Sequence, residues 1–291
     1  MNDSSPRRLD IYRVCCRTKE EQIVSFDSFL PVPYVMKSLG DNHPFSMFTP
    51  ASSGETTVDA AGVRGIAQAG LHEICAAETA QIGAATGFAA ALALRAAGKR
   101  LIVWVRQDFM DTESGALNAS GLAGLGVDPE RFILIRARDA EGVLRAGEQS
   151  ARCAALGAVV IQPWGEPKIL DFTASRRLSL ASAKSSVPIL LLRAAAYPSH
   201  SAATTRWSVK AAPSRALHAN APGFPAFELT LLRRRGGSAG QVLCVEWDRD
   251  RKCFQDREHN DAAAVSRPVV SISHDRPALP GAQHVSWRRA G

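Results

Sequence analysis

Nowhere in the 291 residues do about twenty apolar residues run together, so no stretch reads as a membrane span. The most apolar short run, 89–97, is interrupted by Arg95. Cysteine is scarce. The six residues are Cys15, Cys16, Cys75, Cys153, Cys244 and Cys253. None forms a C-x-x-C and no His stands at zinc-finger spacing, which excludes a zinc ribbon and points to reduced, cytoplasmic usage. Arg7 and Arg8 are not followed by an apolar stretch, so no signal peptide is expected. Ser175 and Ser179 have no His/Asp constellation around them, which argues against a hydrolase triad.

What is present is an ordinary globular composition, 46% hydrophobic and 22% charged, with a formal net charge of +7. That charge is uneven. Residues 41–173 are mildly acidic, whereas 174–291 hold 18 Lys/Arg against eight Asp/Glu. Such asymmetry fits an acidic partner, nucleic acid or protein, and equally a solubilising surface.

Apolar runs at 71–74, 101–105, 132–136, 158–161 and 187–192 read as strands buried on both faces. Between them lie helical stretches at 86–97, 114–125, 140–156 and 171–184, with Asp139 a candidate N-cap and Gly157 a candidate stop. Alternating strands and helices with short turns predict an α/β, doubly wound, mostly parallel sheet. Strands at 206–211, 227–233 and 242–247, the last two flanking Gly236-Gly237-Ser238-Ala239-Gly240, predict an antiparallel finish. The expected organisation is a poorly defined extension over 1–60, with a short strand near 11–14 that could cap the sheet. A core over 61–255 and a mostly disordered tail over 256–291 complete it.

The first strand leads into a loop, 76–83, and then a helix, the place where P-loop ATPases cradle phosphate. A cradle needs glycines for backbone approach, a Lys for the outer phosphates and a Ser/Thr for Mg²⁺. Here it reads Ala76-Ala77-Glu78-Thr79-Ala80-Gln81-Ile82-Gly83, and those requirements are unmet. No cofactor and no metal are expected. Asp108, Asp111 and Glu113 crowd the polar exit loop expected at 106–111, where solvated acids are favoured over a divalent-metal site. His72, beside Glu73, reads as a satisfied core or edge histidine.

Helices early and a β-meander late resemble the RecA ATPase core. The phrases Leu71-His72-Glu73-Ile74, 101–111 (LIVWVRQDFMD), 135–147 (IRARDAEGVLRAG), 153–166 (CAALGAVVIQPWGE), 170–178 (LDFTASRRL), 205–215 (TRWSVKAAPSR) and 245–253 (VEWDRDRKC) are similar to the ImuA family of RecA-like bacterial damage-response proteins. The resemblance spans about 70–254. It places the phosphate Lys on Ile82 and the hydroxyl on Gly83. It places the water-activating acid on Gln107 and the Mg²⁺-holding acid on Gln162. It therefore implies a non-hydrolysing adaptor, not an enzyme, in SOS-induced, error-prone translesion synthesis. The implied partners are an ImuB-type Y-family polymerase homologue and an error-prone replicative-type DNA polymerase. Alternatives are a SulA-like inhibitory binding protein, or an ATPase or DNA-binding paralogue with a rearranged site in which Lys99 or Lys168 substitutes for the lost Lys. Candidate partner or DNA contacts are Arg233, Arg234 and Arg235, the basic–aromatic pair Arg206 and Trp207, and Trp164.

Overall fold

The computed structural model describes residues 9–13, 23–25, 63, 68–194 and 200–257. The expected tail and most of the 1–60 extension lie outside those residues. Eleven strands form one sheet: β1 Leu9–Arg13, β2 Ile23–Ser25, β3 Leu71–Ala76, β4 Leu101–Gln107, β5 Phe132–Ala137, β6 Leu156–Gln162, β7 Ile189–Arg193, β8 Thr205–Ala212, β9 Ala226–Arg234, β10 Val242–Asp248 and β11 Cys253–Asp256. Their spatial order is β11-β10-β9-β8-β3-β7-β6-β4-β5-β1-β2. The six strands from β8 to β5 run parallel. β9, β10 and β11 are antiparallel at one edge, and β1 and β2 at the other. This is the expected fold class in its architecture, an α/β, doubly wound, mostly parallel sheet ending in antiparallel strands. The short strand expected near 11–14 is β1, which pairs along the whole of its length with β5. β11 was not anticipated.

Helix α1 (Ile82–Ala97) packs on one face of the sheet, and α4 (Ala140–Ala151) and α5 (Phe172–Ser185) on the other, producing two apolar cores. Two short helices, α2 (Met110–Ser114) and α3 (Ala119–Gly124), follow β4. Every residue of β6 and β7 is buried, as continuous apolar strands covered on both faces must be. α4 and α5 are capped by Asp139 and Asp171, whose carboxylates accept from Gly142 N and Ala174 N at 2.7 Å each.

α1 differs from both. Its Ala, Leu and Phe residues are buried all round, the pattern of an encased helix rather than a surface one. The antiparallel strands curl over it. Phe88 meets Phe227 edge-on at 5.7 Å and Phe254 in a tilted pair at 5.3 Å, and Phe254 packs at a tilt against Trp247 at 4.8 Å. The Trp247 indole donates to the Leu125 carbonyl at 2.9 Å, closing the meander onto the loop after α3. Among the described residues, 79–97 is the one helical stretch with the length and composition to cross a membrane, and it is this core helix.

The helix expected over 114–125 is instead the two short helices α2 and α3, with 115–118 non-helical, and three other boundaries move. α1 starts at Ile82, not residue 86, because Ile82 and Ala84 pack against the core cluster and so reward an earlier start. β4 runs to Gln107, so Arg106 and Gln107 are buried strand residues, not exit loop. α4 ends at Ala151, and Gly157 lies inside β6. There a Cβ would sit 2.4 Å from the Ala97 Cα, so glycine is what lets the end of α1 touch the sheet.

Candidate functional site

In an open α/β sheet, ligands bind beyond the carboxyl ends of the strands, where the chain leaves adjacent strands in opposite directions. Here β4 leads outward to β5 and its neighbour β6 leads inward to β7. The crevice therefore lies between the ends of β4 and β6, with the loop after β3 nearby.

That loop binds itself instead of presenting donors. Ala77 N donates to Val209 O at 2.9 Å and Gln81 N to Glu78 O at 2.9 Å, within a single turn of 3-10 helix over Thr79–Gln81. The Gln81 side chain accepts from Ala211 N at 2.9 Å, pinning the start of α1 to β8. Ala76 and Ile82 are half-buried, and Ile82 turns its apolar chain to the core where a phosphate cradle would carry its ammonium. Gly83 is exposed within the first turn of α1. The residues do not fit a nucleoside triphosphate: the loop holds no Lys or Arg, and the Ala77 and Gln81 N–H groups are already bonded to carbonyls.

The two strand ends are equally occupied. Gln107, 8% exposed, accepts the Trp164 backbone N–H at 2.7 Å. Gln162, 1% exposed, accepts the Trp104 indole N–H at 2.8 Å. Both amides are fixed acceptors that tie β4 to β6. Neither is a base, since an amide oxygen cannot take a proton from water near neutral pH. Over them, Trp164 packs edge-on to Phe109 at 6.1 Å and bridges to Ala194. Phe109 is 41% exposed and Trp164 half-buried, so this pair is the solvent face of the crevice.

The acids of the exit segment do not converge on a metal position. Asp111 is split between two arginines, Arg106 Nη1 at 3.2 Å and Arg136 Nη2 at 2.7 Å. Arg106 also donates to Gly115 O at 3.0 Å. Burial lowers the Arg106 pKa, with Asp111 opposing the effect and Arg136 adding to it. The expected solvated acid at Asp111 is thus a counter-ion. No group of three or more His, Cys, Asp or Glu able to hold a metal occurs among the described residues. His72 is 1% exposed, with Nδ1 at 2.9 Å from Thr205 Oγ1 and Nε2 at 3.1 Å from Gln68 O, the satisfied histidine expected.

The basic candidates divide. Arg206 and Trp207 are 7% and 2% exposed, which overturns their assignment as a surface contact. Arg206 is ion-paired to buried Glu73 and donates to Ser201 Oγ at 3.0 Å. Trp207 donates to Thr205 Oγ1 at 3.1 Å and sits in the α1 core. Arg233 donates to Ser201 O, and Arg235 to Ala202 O at 3.0 Å, so both clamp the segment entering β8. Arg234, between them on the strand, is exposed. Period-2 alternation along β9 carries the signal that separates it from its neighbours, but a triplet at a strand end reads as one patch. The Glu73–Arg206 and Asp111–Arg136 pairs had no sequence signal, because their partners are far apart in the chain, and the nearby Arg106 reads as loop rather than as a buried strand residue.

The chain matches no protein-family model and no curated protein. It is similar to the solved structure of the RadB recombinase, with a TM-score of 0.47 and 15% identity over 68% of this chain and 96% of that one. It is also similar to SulA from Pseudomonas aeruginosa, with a TM-score of 0.34 and 20% identity over 43% of this chain and 97% of that one. Likenesses this distant assign neither a family nor an activity.

Proposed function

We propose that this chain is a non-hydrolysing RecA-like adaptor in damage-induced, error-prone translesion DNA synthesis. The observation that carries the non-hydrolysing part is the use of Gln107 and Gln162 as structural acceptors for Trp164 N and Trp104 Nε1. A site that activates water needs a carboxylate at such a strand end and a second one to hold Mg²⁺. A rearranged site built on Lys99 is disfavoured, because Lys99 follows the far end of the 16-residue α1, about 24 Å from the loop. Assembly, in this reading, is with an ImuB-type polymerase homologue and an error-prone replicative-type polymerase in the cytoplasm, as the sequence resemblance implies. The exposed Phe109–Trp164 pair and Arg234 are the contacts offered to them.

The test is recovery of partners from DNA-damaged cells by the tagged chain, with nuclease present. Wild type should retain the ImuB-type protein. Phe109→Ala and Arg234→Glu, both at exposed positions, should each reduce recovery without changing the unfolding midpoint. Recovery of nuclease-sensitive material alone would sink the adaptor reading and make the basic third a DNA surface. A SulA-like inhibitor would instead block division on overexpression, with no dependence on an ImuB-type partner.

A further inference from the structure

The two long helices on one sheet face present different surfaces to solvent. α4 pairs its charges along its own length, Arg145 with Glu141 at 2.7 Å and Arg152 with Glu148 at 2.6 Å, the i,i+4 pattern of a solvated face. α5 does not. From 167 to 186 the chain carries Lys168, Arg176, Arg177 and Lys184 against a single acid, Asp171. Asp171 is the N-cap, and its carboxylate accepts from Ala174 N. Among the described residues no ion pair involves any of the four cations. Lys184 stands in the last turn, where the helix dipole favours a cation. Arg176 and Arg177 lie outside that turn and gain nothing from it.

Apolar side chains share this surface. Leu180 and Phe172 are 60% and 51% exposed, among the most exposed large apolar residues described, and Ile169 lies just ahead of the helix at 42%. Steps of four place Phe172, Arg176, Leu180 and Lys184 along one stripe, apolar and basic in turn. At about 100° per residue, Phe172, Ala183, Arg176, Leu180, Lys184 and Arg177 follow one another in that order around an arc of about 140°. All six are exposed. One flank of the arc is therefore apolar and the other basic, with Arg176 and Leu180 between them. The arc covers about 18 Å of helix from Phe172 to Lys184. Ala174, Leu178 and Ala181, on the opposite side of α5, belong to the core. The helix is thus fixed to the sheet, and the arc is a standing ridge rather than a segment that folds on contact.

We propose that this face of α5 is a docking surface for an amphipathic helix of a partner protein, one with carboxylates along one side of an apolar stripe. The stripe lies on Phe172 and Leu180 and the carboxylates against Arg177 and Lys184, a helix-on-helix contact with ion pairs at its rim. Charge complementarity selects that occupant, because the arc has no acid with which to meet a basic partner. Duplex nucleic acid uses the cations but leaves Phe172 and Leu180 uncovered. A bilayer surface favours apolar residues between two basic flanks, and here one flank is apolar. The residues are separate from Phe109, Trp164 and Arg234, so the proposal does not rest on the adaptor reading.

The experiment is selection against the full chain from a display library of helical peptides about as long as α5 and randomised on every face. The enriched pool should be acidic, with apolar residues at i, i+3 and i+4 and carboxylates along one side of them. Binding of a synthesised member, read by fluorescence anisotropy, should weaken about tenfold in Leu180→Ser and in the double variant Arg177→Glu/Lys184→Glu, each at unchanged unfolding midpoint. It should also weaken as salt is added. The double variant decides the matter if Leu180→Ser does not fold. A library that yields no binder, a pool without acid enrichment, or peptide binding unchanged in a folded variant would overturn the proposal. So would loss, in the same variants, of binding to phosphatidylglycerol vesicles or to duplex DNA with the peptide response intact, which would make the face a lipid or nucleic-acid surface.

Discussion

Each buried polar group in the crevice has a partner chosen by position. Among the described residues the buried Trp104 indole N–H donates to Gln162 Oε1, so Gln162→Leu should leave it unsatisfied. The expected loss is about 1–3 kcal/mol, read as a lower urea midpoint at unchanged m-value. His72 supplies a second expectation. Burial lowers its pKa, with the hydrogen bond to Gln68 opposing. The unfolded chain therefore takes up a proton near pH 6.5 that the native chain refuses. Stability from this group is complete above that pH. It falls as the pH drops below 6.5 and levels off only beneath the native value. His72→Gln should flatten that acid limb in unfolding measured between pH 7 and pH 5. Of these residues the sequence showed the chemical type but not the partner. His72 was legible as a core histidine because it sits in an apolar run. Arg106 and Gln107 read as loop because a polar residue carries no mark of the acid or amide N–H that will satisfy it after folding.

At the scale of elements, the glycines of α1 and β6 have opposite roles. Gly157 admits the end of α1 against β6, and its added Cβ would meet the Ala97 backbone, which has no side-chain freedom with which to yield. Gly157→Ala should cost about 1–3 kcal/mol. Gly83 has nothing within 4 Å of such a Cβ. Gly83→Ala should be neutral or stabilise by up to about 1 kcal/mol, through helix propensity and lost freedom of the unfolded chain. Apart from the segment of α2 and α3, which read as one helix over 114–125, the strands and helices from 71 to 193 were legible because apolar continuity and caps such as Asp139 are local signals. The joining of β1 to β5 and of β11 to β10 was not, since edge pairing is decided by what remains uncovered elsewhere.

For the whole molecule, a ligand that binds the native state raises its stability by an amount set by concentration over Kd. A micromolar Mg·ATP site at 1 mM nucleotide would add about 4 kcal/mol. No shift in unfolding midpoint is expected with phosphate-free Mg·ATP, since the loop 76–83 holds no Lys or Arg and its Ala77 and Gln81 N–H groups are spent on Val209 and Glu78. A rise of several degrees would restore the nucleotide-binding alternative.

The encasement of α1 also has a consequence for synthesis on the ribosome. Its covering residues Phe227, Trp247 and Phe254 lie 130 to 157 positions after the helix ends at Ala97. At bacterial-scale elongation of about 5–20 residues per second, the finished helix waits roughly 8–30 s for its last cover to be made. Throughout that interval the nascent chain presents a stretch of the length and composition of a membrane span, with its aromatic cover from β9, β10 and β11 still unsynthesised. The order of segments thus predicts that chains truncated before Phe227 aggregate under conditions in which the full chain stays in solution.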